Sequence, residues 1–290
     1  MVHEQNILVT GANGQLGNEL RVLANTTPSF NFFFTDTHEL DITDHFAIEK
    51  YFLENKIHAC INCAAYTAVD DAENDKELAF KINATAVEYL ATVCNKYNAW
   101  LIHISTDYVF NGNATSPYKE EDHTDPINYY GLTKLEGEKS ALKYNPQSII
   151  IRTSWLYSIY GKNFVKTMIR FMNEKDNINV VNDQFGSPTY AADLAAAIIH
   201  ILENKQMAAG TYHYCNQGII SWYEFAIAIK EFLQKECMIS PLPASLYPTP
   251  AKRPAYSAFD NTKIRLQFDL RIPEWKDSLK KCVAKIIESN

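Results

Sequence analysis

NILVTGANGQLGNEL, residues 6–20, decides the fold. It opens on a short apolar run, Ile7–Thr10, and from Gln15 onward takes helical spacing. Between the two stand Gly11, Gly14 and Gly17. A strand ending in such a turn brings bare backbone to the N-terminus of the next helix. Unpaired N–H groups and the positive end of the helix dipole there favour a pyrophosphate. The glycines also suit a plain tight β–α turn, but strand, turn and helix in this order point to dinucleotide binding. FNFFFTD (30–36) supplies the next strand and closes on Asp36. It lies about 20 residues past the turn, where an acid commonly receives the adenosine ribose hydroxyls. An ordinary solvated loop acid is the other reading of Asp36, and Asp41, in the following loop, is better placed for the adenine side.

The rhythm continues outward. Predicted strands at Ile7–Thr10, Phe30–Thr35, Ala59–Cys63, Trp100–Ile104 and Ser148–Arg152 alternate with predicted helices at Gln15–Ala24, Asp44–Asn55, Lys76–Lys96 and Tyr129–Lys143. That alternation describes an α/β protein, a doubly wound parallel sheet of Rossmann type with helices on both faces. After Arg152 the spacing loosens: helix Phe164–Asn173, strand Ile178–Val181, helix Tyr190–Glu203, strand Thr211–Tyr214, helix Trp222–Gln234. Residues 1–152 are therefore expected to form the dinucleotide-binding domain. Residues 153–290 are expected to be mainly a smaller substrate-binding domain, with segments near 178–203 and 211–216 returning to the first. The five prolines of SPLPASLYPTPAKRPAYS (240–257) predict an irregular loop, because proline withholds the donor that a helix needs.

Composition narrows the class. The 290 residues are 47% hydrophobic, enough for one large core or two smaller ones. A net charge of -7 offers no basic field, so no nucleic-acid partner is expected. No stretch approaches the ~18 to 20 apolar residues of a membrane span. The N-terminus also lacks a basic and then apolar leader, so the expectation is a cytoplasmic protein with no membrane partner. Cys60, Cys63, Cys94, Cys215, Cys237 and Cys282 are expected as free thiols. The C-x-x-C pair Cys60 and Cys63 has no companion Cys or His pair, and reads as two small buried side chains rather than a zinc or redox site.

Tyr130 and Lys134 stand four apart in YGLTK, on one face of a predicted helix. The ammonium can then lie beside the phenol and stabilise its anion. A ketone that accepts hydride at carbon needs a proton at oxygen, and a tyrosine of depressed pKa can supply it. Thr106, at the end of the predicted fourth strand, stands on the sheet edge where open α/β folds bind ligands, with a hydroxyl for the same oxygen. Such a Tyr-Lys pair on a surface helix is common by chance; the upstream glycine turn gives it weight.

GANGQLG (11–17), NCAAYTAVDDAE (62–73), ISTDYVFNG (104–112), PINYYGLTKLEGE (126–138), IRTSWLY (151–157), NDQFGSPTYAADLA (182–195) and AKRPAYSAFDN (251–261) span nearly the whole chain. Together they resemble the dTDP-4-dehydrorhamnose reductase family of extended short-chain dehydrogenases/reductases. The resemblance implies that Gly14, Gln15 and Leu16 touch the cofactor pyrophosphate, Asp41 and Ile42 the adenine end, and Ala65, Tyr66 and Thr67 the nicotinamide-side ribose. It implies a catalytic group of Thr106, Tyr130 and Lys134, with Tyr130 as proton donor, and a sugar pocket lined by Thr106, Asp107 and Trp155. The stretch Gln184–Thr189 and Arg253 would reach the nucleotide, where an arginine pairs with diphosphate oxygens. Arg253 reads equally as a surface residue and Trp155 as a core aromatic.

The implied reaction reduces the 4-keto group of dTDP-4-dehydro-L-rhamnose to dTDP-L-rhamnose, with NADH or NADPH. NADH is favoured, because Asp36 would repel a 2′-phosphate. Some similar enzymes are homodimers bridged by magnesium through acidic side chains. Glu19 is available for that here, but Tyr190–Asp193 offers Asp193 as its only acid, so no metal is assigned and a homodimer stays open. Another nucleotide-sugar 4-ketoreductase, an epimerase holding NAD, or a non-catalytic nucleotide-sensing subunit such as that of methionine adenosyltransferase also stays open. A serine hydrolase is disfavoured: there is no G-x-S-x-G elbow, and Ser105 has no obvious paired histidine.

Overall fold

The computed structural model describes residues 5–204 and 206–288. The chain begins with β1 (Gln5–Thr10), α1 (Gln15–Ala24), β2 (Phe30–Thr35), α2 (His45–Asn55), β3 (Ala59–Asn62), α3 (Lys76–Phe80), α4 (Ala86–Lys96), β4 (Trp100–Thr106), α5 (Tyr129–Tyr144) and β5 (Ser148–Thr153). It continues with β6 (Leu156–Tyr157), α6 (Phe164–Glu174), β7 (Asn177–Val181), β8 (Phe185–Gly186), β9 (Thr189–Tyr190), α7 (Ala191–Glu203), β10 (Gly210–His213), β11 (Ile220–Ser221), α8 (Trp222–Leu233), β12 (Met238–Leu242), α9 (Thr262–Phe268) and α10 (Trp275–Glu288).

Six of these strands make one sheet in the order β10-β5-β4-β3-β1-β2, and every pairing in it is parallel. The chain steps from β1 to β2 in one direction and from β3 onward in the other. The switch point between β1 and β3 therefore opens a crevice at the carboxyl ends of the strands. The strands look uniformly apolar because both faces are covered. Ile7, Val9, Ile61, Ile102, Ile149 and Ile151 point to the face of α1, α7 and α9, where Leu20, Leu194, Ile198 and Phe268 meet them. Their neighbours Leu8, Cys60, Leu101 and Ile150 point to the face of α2 and α4, against Phe52, Leu90 and Cys94. Each fully buried Ile or Leu contributes about 1.5–3 kcal/mol.

A separate core joins α6, α8 and α10 to β7 and β12, through Met168, Met172, Phe225, Ile229, Leu279, Val283, Ile178 and Ile239. Of the segments expected to return to the first core, β10 pairs with β5 and α7 lies on the sheet, whereas Asn177–Val181 pairs in parallel with β12. The proline-rich stretch begins in that strand: Pro241 belongs to β12, tolerated because a two-stranded sheet is all edge. α9 and α10 were not predicted. The buried spacing Leu279, Cys282, Val283, Ile286 would have given α10 away.

Two other differences from expectation bear on function. β4 runs two residues past Ile104, so Thr106 is its last residue. The helix expected over Lys76–Lys96 is interrupted by a π turn at Lys81–Thr85, which inserts a residue into the helical register. No helix among the described residues is long and apolar enough to cross a membrane.

Candidate active site

A cleft of about 1180 Å³ follows the carboxyl edge of the sheet and ends against β6 and α8. Of the cofactor, catalytic and sugar residues named from the sequence, those that do not line it are Tyr66 and the stretch Gln184–Thr189.

At the cleft's first end the glycine turn has the form its spacing predicts. Gly11 has φ +62°, and a Cβ there would stand 2.6 Å from the Ala64 backbone. At Gly17 a Cβ would stand 2.5 Å from Ala12 Cα, so α1 can approach the turn this closely only without a side chain. Gly14 is the N-cap of α1, and no side chain caps that end. These are the features that let a dinucleotide pyrophosphate sit on free N–H groups, and the cradle fits that group. Gln15 and Leu16 follow directly and line the cleft. The Asp36 carboxylate accepts from Asn13 N at 3.1 Å and Thr37 N at 2.8 Å, which ties the end of β2 to the turn. Asp41 accepts from Thr43 N and its hydroxyl, and Ile42 is 7% exposed.

Ala65 and Thr67 form the far wall, in the loop after β3. Tyr66, between them, is off the cleft. Its N–H donates to Asn83 Oδ1 at 2.8 Å and its carbonyl accepts from Asn83 Nδ2 at 3.0 Å. Asn83 lies in the π turn, is fully buried, and also bonds the Thr133 hydroxyl on α5. It clamps this wall to α5, a role with no signature in the sequence.

In the middle of the cleft, Tyr130, Lys134, Thr106 and Asp107 are 9%, 2%, 5% and 2% exposed. Asn128 caps α5 by accepting from Gly131 N at 2.8 Å, which sets the first turn that carries Tyr130. The ammonium of Lys134 donates to the Ile104 carbonyl at 2.6 Å rather than lying against the phenol. Burial brings the Lys134 pKa down to about 8, opposed first by the Glu138 carboxylate and then by Cys63. The Tyr130 pKa is raised, not depressed as expected: burial dominates, a hydrogen bond with Thr106 opposes it, and the Asp107 charge adds to it. Burial pushes Asp107 up to about 6, and its Oδ2 has no hydrogen-bond partner among the described residues.

At the far end, Trp155 adopts φ 48° and stacks on Trp222 with ring centroids 3.5 Å apart and planes 9° from parallel. Both line the cleft, so Trp155 is a wall as well as a packed aromatic. Arg253 is not a free surface residue: its fork binds Asp70 at 3.0 and 2.9 Å, joining segments 183 residues apart. Gln184 stands just outside β8 and off the cleft, as does the rest of its run to Thr189, which touches the site only indirectly where Gly186 packs against the Trp155 indole.

The acids weighed for a metal are engaged elsewhere. Glu19 is buried, accepts from the Ser158 hydroxyl at 2.6 Å, and feels the Lys285 charge. Asp193 accepts from Asn216 and Ser278. Among the described residues no group of three or more His, Cys, Asp or Glu is disposed to hold a metal, and magnesium has no support here. The six cysteines are free thiols; Cys60 is buried, while Cys63 is half-buried and lines the cleft.

Fold and cleft together define a dinucleotide-dependent oxidoreductase with a Rossmann-type sheet. The profile of the RmlD substrate binding domain matches residues 5–287, and the chain belongs to that family. A dTDP-4-dehydrorhamnose reductase of Aggregatibacter actinomycetemcomitans is 40% identical over 284 residues, covering 94% of this chain and 97% of the relative. Among solved structures, a dTDP-4-dehydrorhamnose reductase of Clostridium acetobutylicum superposes with a TM-score of 0.94 at 41% identity, covering 98% and 100% of the two chains. That of Bacillus anthracis, in complex with NADP, also gives 0.94 at 39% identity, covering 97% and 99%.

Proposed function

We propose that this chain reduces the 4-keto group of dTDP-4-dehydro-L-rhamnose to dTDP-L-rhamnose with NAD(P)H, a step of dTDP-rhamnose biosynthesis. One observation carries the reading: a single cleft joins an uncapped, glycine-lined helix N-terminus to a buried Thr106–Tyr130–Lys134 group and then to an aromatic wall with an arginine. Near-full-length likeness to reductases of that name supports the choice of substrate. Residues 1–152 serve as the dinucleotide-binding domain and 153–290 mainly as the substrate domain.

Bound NAD(P)H supplies the hydride. Gly14, Gln15 and Leu16 hold the pyrophosphate, Asp36 the adenosine ribose, Asp41 and Ile42 the adenine, and Ala65 and Thr67, steadied by Tyr66 and Asn83, the second ribose. Tyr130 Oη gives its proton to the keto oxygen as the carbon accepts hydride. A raised pKa keeps that proton in place at neutral pH, the state from which a reduction starts. The charge left on Oη is then met by the Thr106 hydroxyl, while the Lys134 ammonium, held at the Ile104 carbonyl one turn along the helix, acts on it through its field. Asp107 Oδ2 accepts from a sugar hydroxyl, Trp155 faces the deoxysugar, and Arg253, its fork held by Asp70, turns its positive charge and remaining N–H groups to the diphosphate. The binding energy of that distant nucleotide orients the sugar for reaction.

The test is purified protein with dTDP-4-dehydro-6-deoxy-L-mannose and NADH or NADPH. Stoichiometric oxidation of cofactor with dTDP-L-rhamnose as product is expected. Turnover without net cofactor consumption would make the protein an epimerase, and ligand binding without turnover a sensing subunit.

A further inference from the structure

Behind the cleft wall lies an ion pair that the reaction, as derived, does not use. Glu138, one helical turn beyond Lys134 on α5, is 3% exposed, and Arg152, in β5, is 5% exposed. Arg152 Nε donates to Oε1 at 2.9 Å and Nη2 donates to Oε2 at 2.7 Å. The Ser105 hydroxyl donates to the same Oε1 at 2.5 Å. Removing two charges from water commonly costs as much as their attraction returns, so a buried pair like this one is weak evidence for stability. The place of Ser105 suggests another use. It stands between Ile104, whose carbonyl accepts the Lys134 ammonium, and Thr106, whose hydroxyl meets Tyr130.

We propose that Glu138 is a positioning residue of the reductase site, fixing the end of β4 through Ser105 and holding the Lys134 ammonium charged through its own carboxylate. The proposal rests on the role assigned to Lys134 above. Few ionisable groups surround that ammonium. On α5 there are Glu138 and Tyr130; after β3 there is Cys63; from β4 come His103, kept neutral by burial and by Lys134 itself, and Asp107, which faces Tyr130. β5 contributes Arg152, turned onto Glu138. Glu138 is the larger of the two charges that oppose the effect of burial on Lys134. Arg152 aims that carboxylate, because a bidentate grip leaves it one orientation. Without it, Lys134 would shed its proton at lower pH and cease to donate to the Ile104 carbonyl as a cation.

The test compares pH profiles of kcat/KM for wild type, Glu138→Gln, Glu138→Asp and Ser105→Ala, with NADH binding followed by fluorescence over the same pH range. Glu138→Gln is expected to move the alkaline fall downward by about one pH unit. It should lower the plateau on the order of tenfold. Glu138→Asp, which keeps the charge, should leave the fall near its wild-type position. Ser105→Ala should lower the plateau and leave the fall unmoved. If Glu138→Gln does not fold because Arg152 is left unpaired, Glu138→Gln/Arg152→Gln removes both halves and should still move the fall downward, by less, since a cation leaves together with the nearer carboxylate. An alkaline fall that stays in place in the neutral variant overturns the proposal, as does a wild-type plateau in Ser105→Ala. Should wild type not turn over the keto-sugar nucleotide, the functional reading fails, while the pH dependence of NADH binding still decides the role of Glu138.

Discussion

The two ends of the cleft are built from different materials. The cofactor end is backbone: a glycine turn whose missing Cβ atoms let Ala64 and Ala12 approach, and an uncapped helix start. The end proposed for the sugar is side chain: Trp155 stacked on Trp222, and Arg253 held by Asp70 across 183 residues. A site made of backbone needs glycine at fixed spacing and tolerates little else. One made of side chains needs only that the fold bring them together, and it can change partners one residue at a time.

Tyr130→Phe, where the two ends meet, gives the largest expected effect. The ring stays and the acid goes, so kcat should fall by about 10²–10⁴ while both ligands still bind. Wild-type turnover, measured where chemistry limits the rate, would remove Tyr130 from its role. Trp155→Ala tests whether the ends are separable. Binding of dTDP-rhamnose should weaken on the order of tenfold, equivalent to ~1.4 kcal/mol, and NADH binding should hardly change. Equal losses in isothermal titration of both ligands would make Trp155 a support of the fold and erase the distinction.

The smallest effect belongs to Asp36. Wild type should use NADH at least as well as NADPH, and Asp36→Ala should shift the kcat/KM ratio toward NADPH by about threefold to tenfold. The change is modest because the carboxylate is half-exposed, screened, and already satisfied by Asn13 and Thr37. A tenfold or greater NADPH preference in wild type would overturn the reading.

This difference in material also governs what the sequence discloses. Gly11, Gly14 and Gly17 could be read directly as a tight turn, because a local backbone requirement fixes both residue type and spacing. Tyr130 and Lys134 were legible as a helical pair, but not the direction of the Tyr130 shift, which depends on burial and on Lys134 turning to Ile104. Glu138 carries the same four-residue offset from Lys134 and was within reach of the same argument. Trp222 was not: nothing near it in sequence refers to Trp155, and only the packing of α8 under β6 joins them. Nor was Asn83, whose clamp on Tyr66 depends on a π turn that apolar periodicity does not register.

The covering of the main sheet also sets an order in time. The face under α2 and α4 draws on residues up to Ile150, and so can close as soon as the first half of the chain has been made. The opposite face waits for Leu194–Leu202, Ile264, Phe268 and Ile272. At ordinary translation rates the roughly 120 residues between Ile151 and Ile272 take roughly 6–24 s to synthesise. Over that interval Ile7, Val9, Ile61 and Ile149 have only α1 of their final cover until α7 and then α9 are made, and the bare remainder is a ready target for chaperones. Ribosome-bound chains halted near residue 185 should bind an apolar dye that released full-length chains do not, and equal dye binding by both would show that this face is covered without α7.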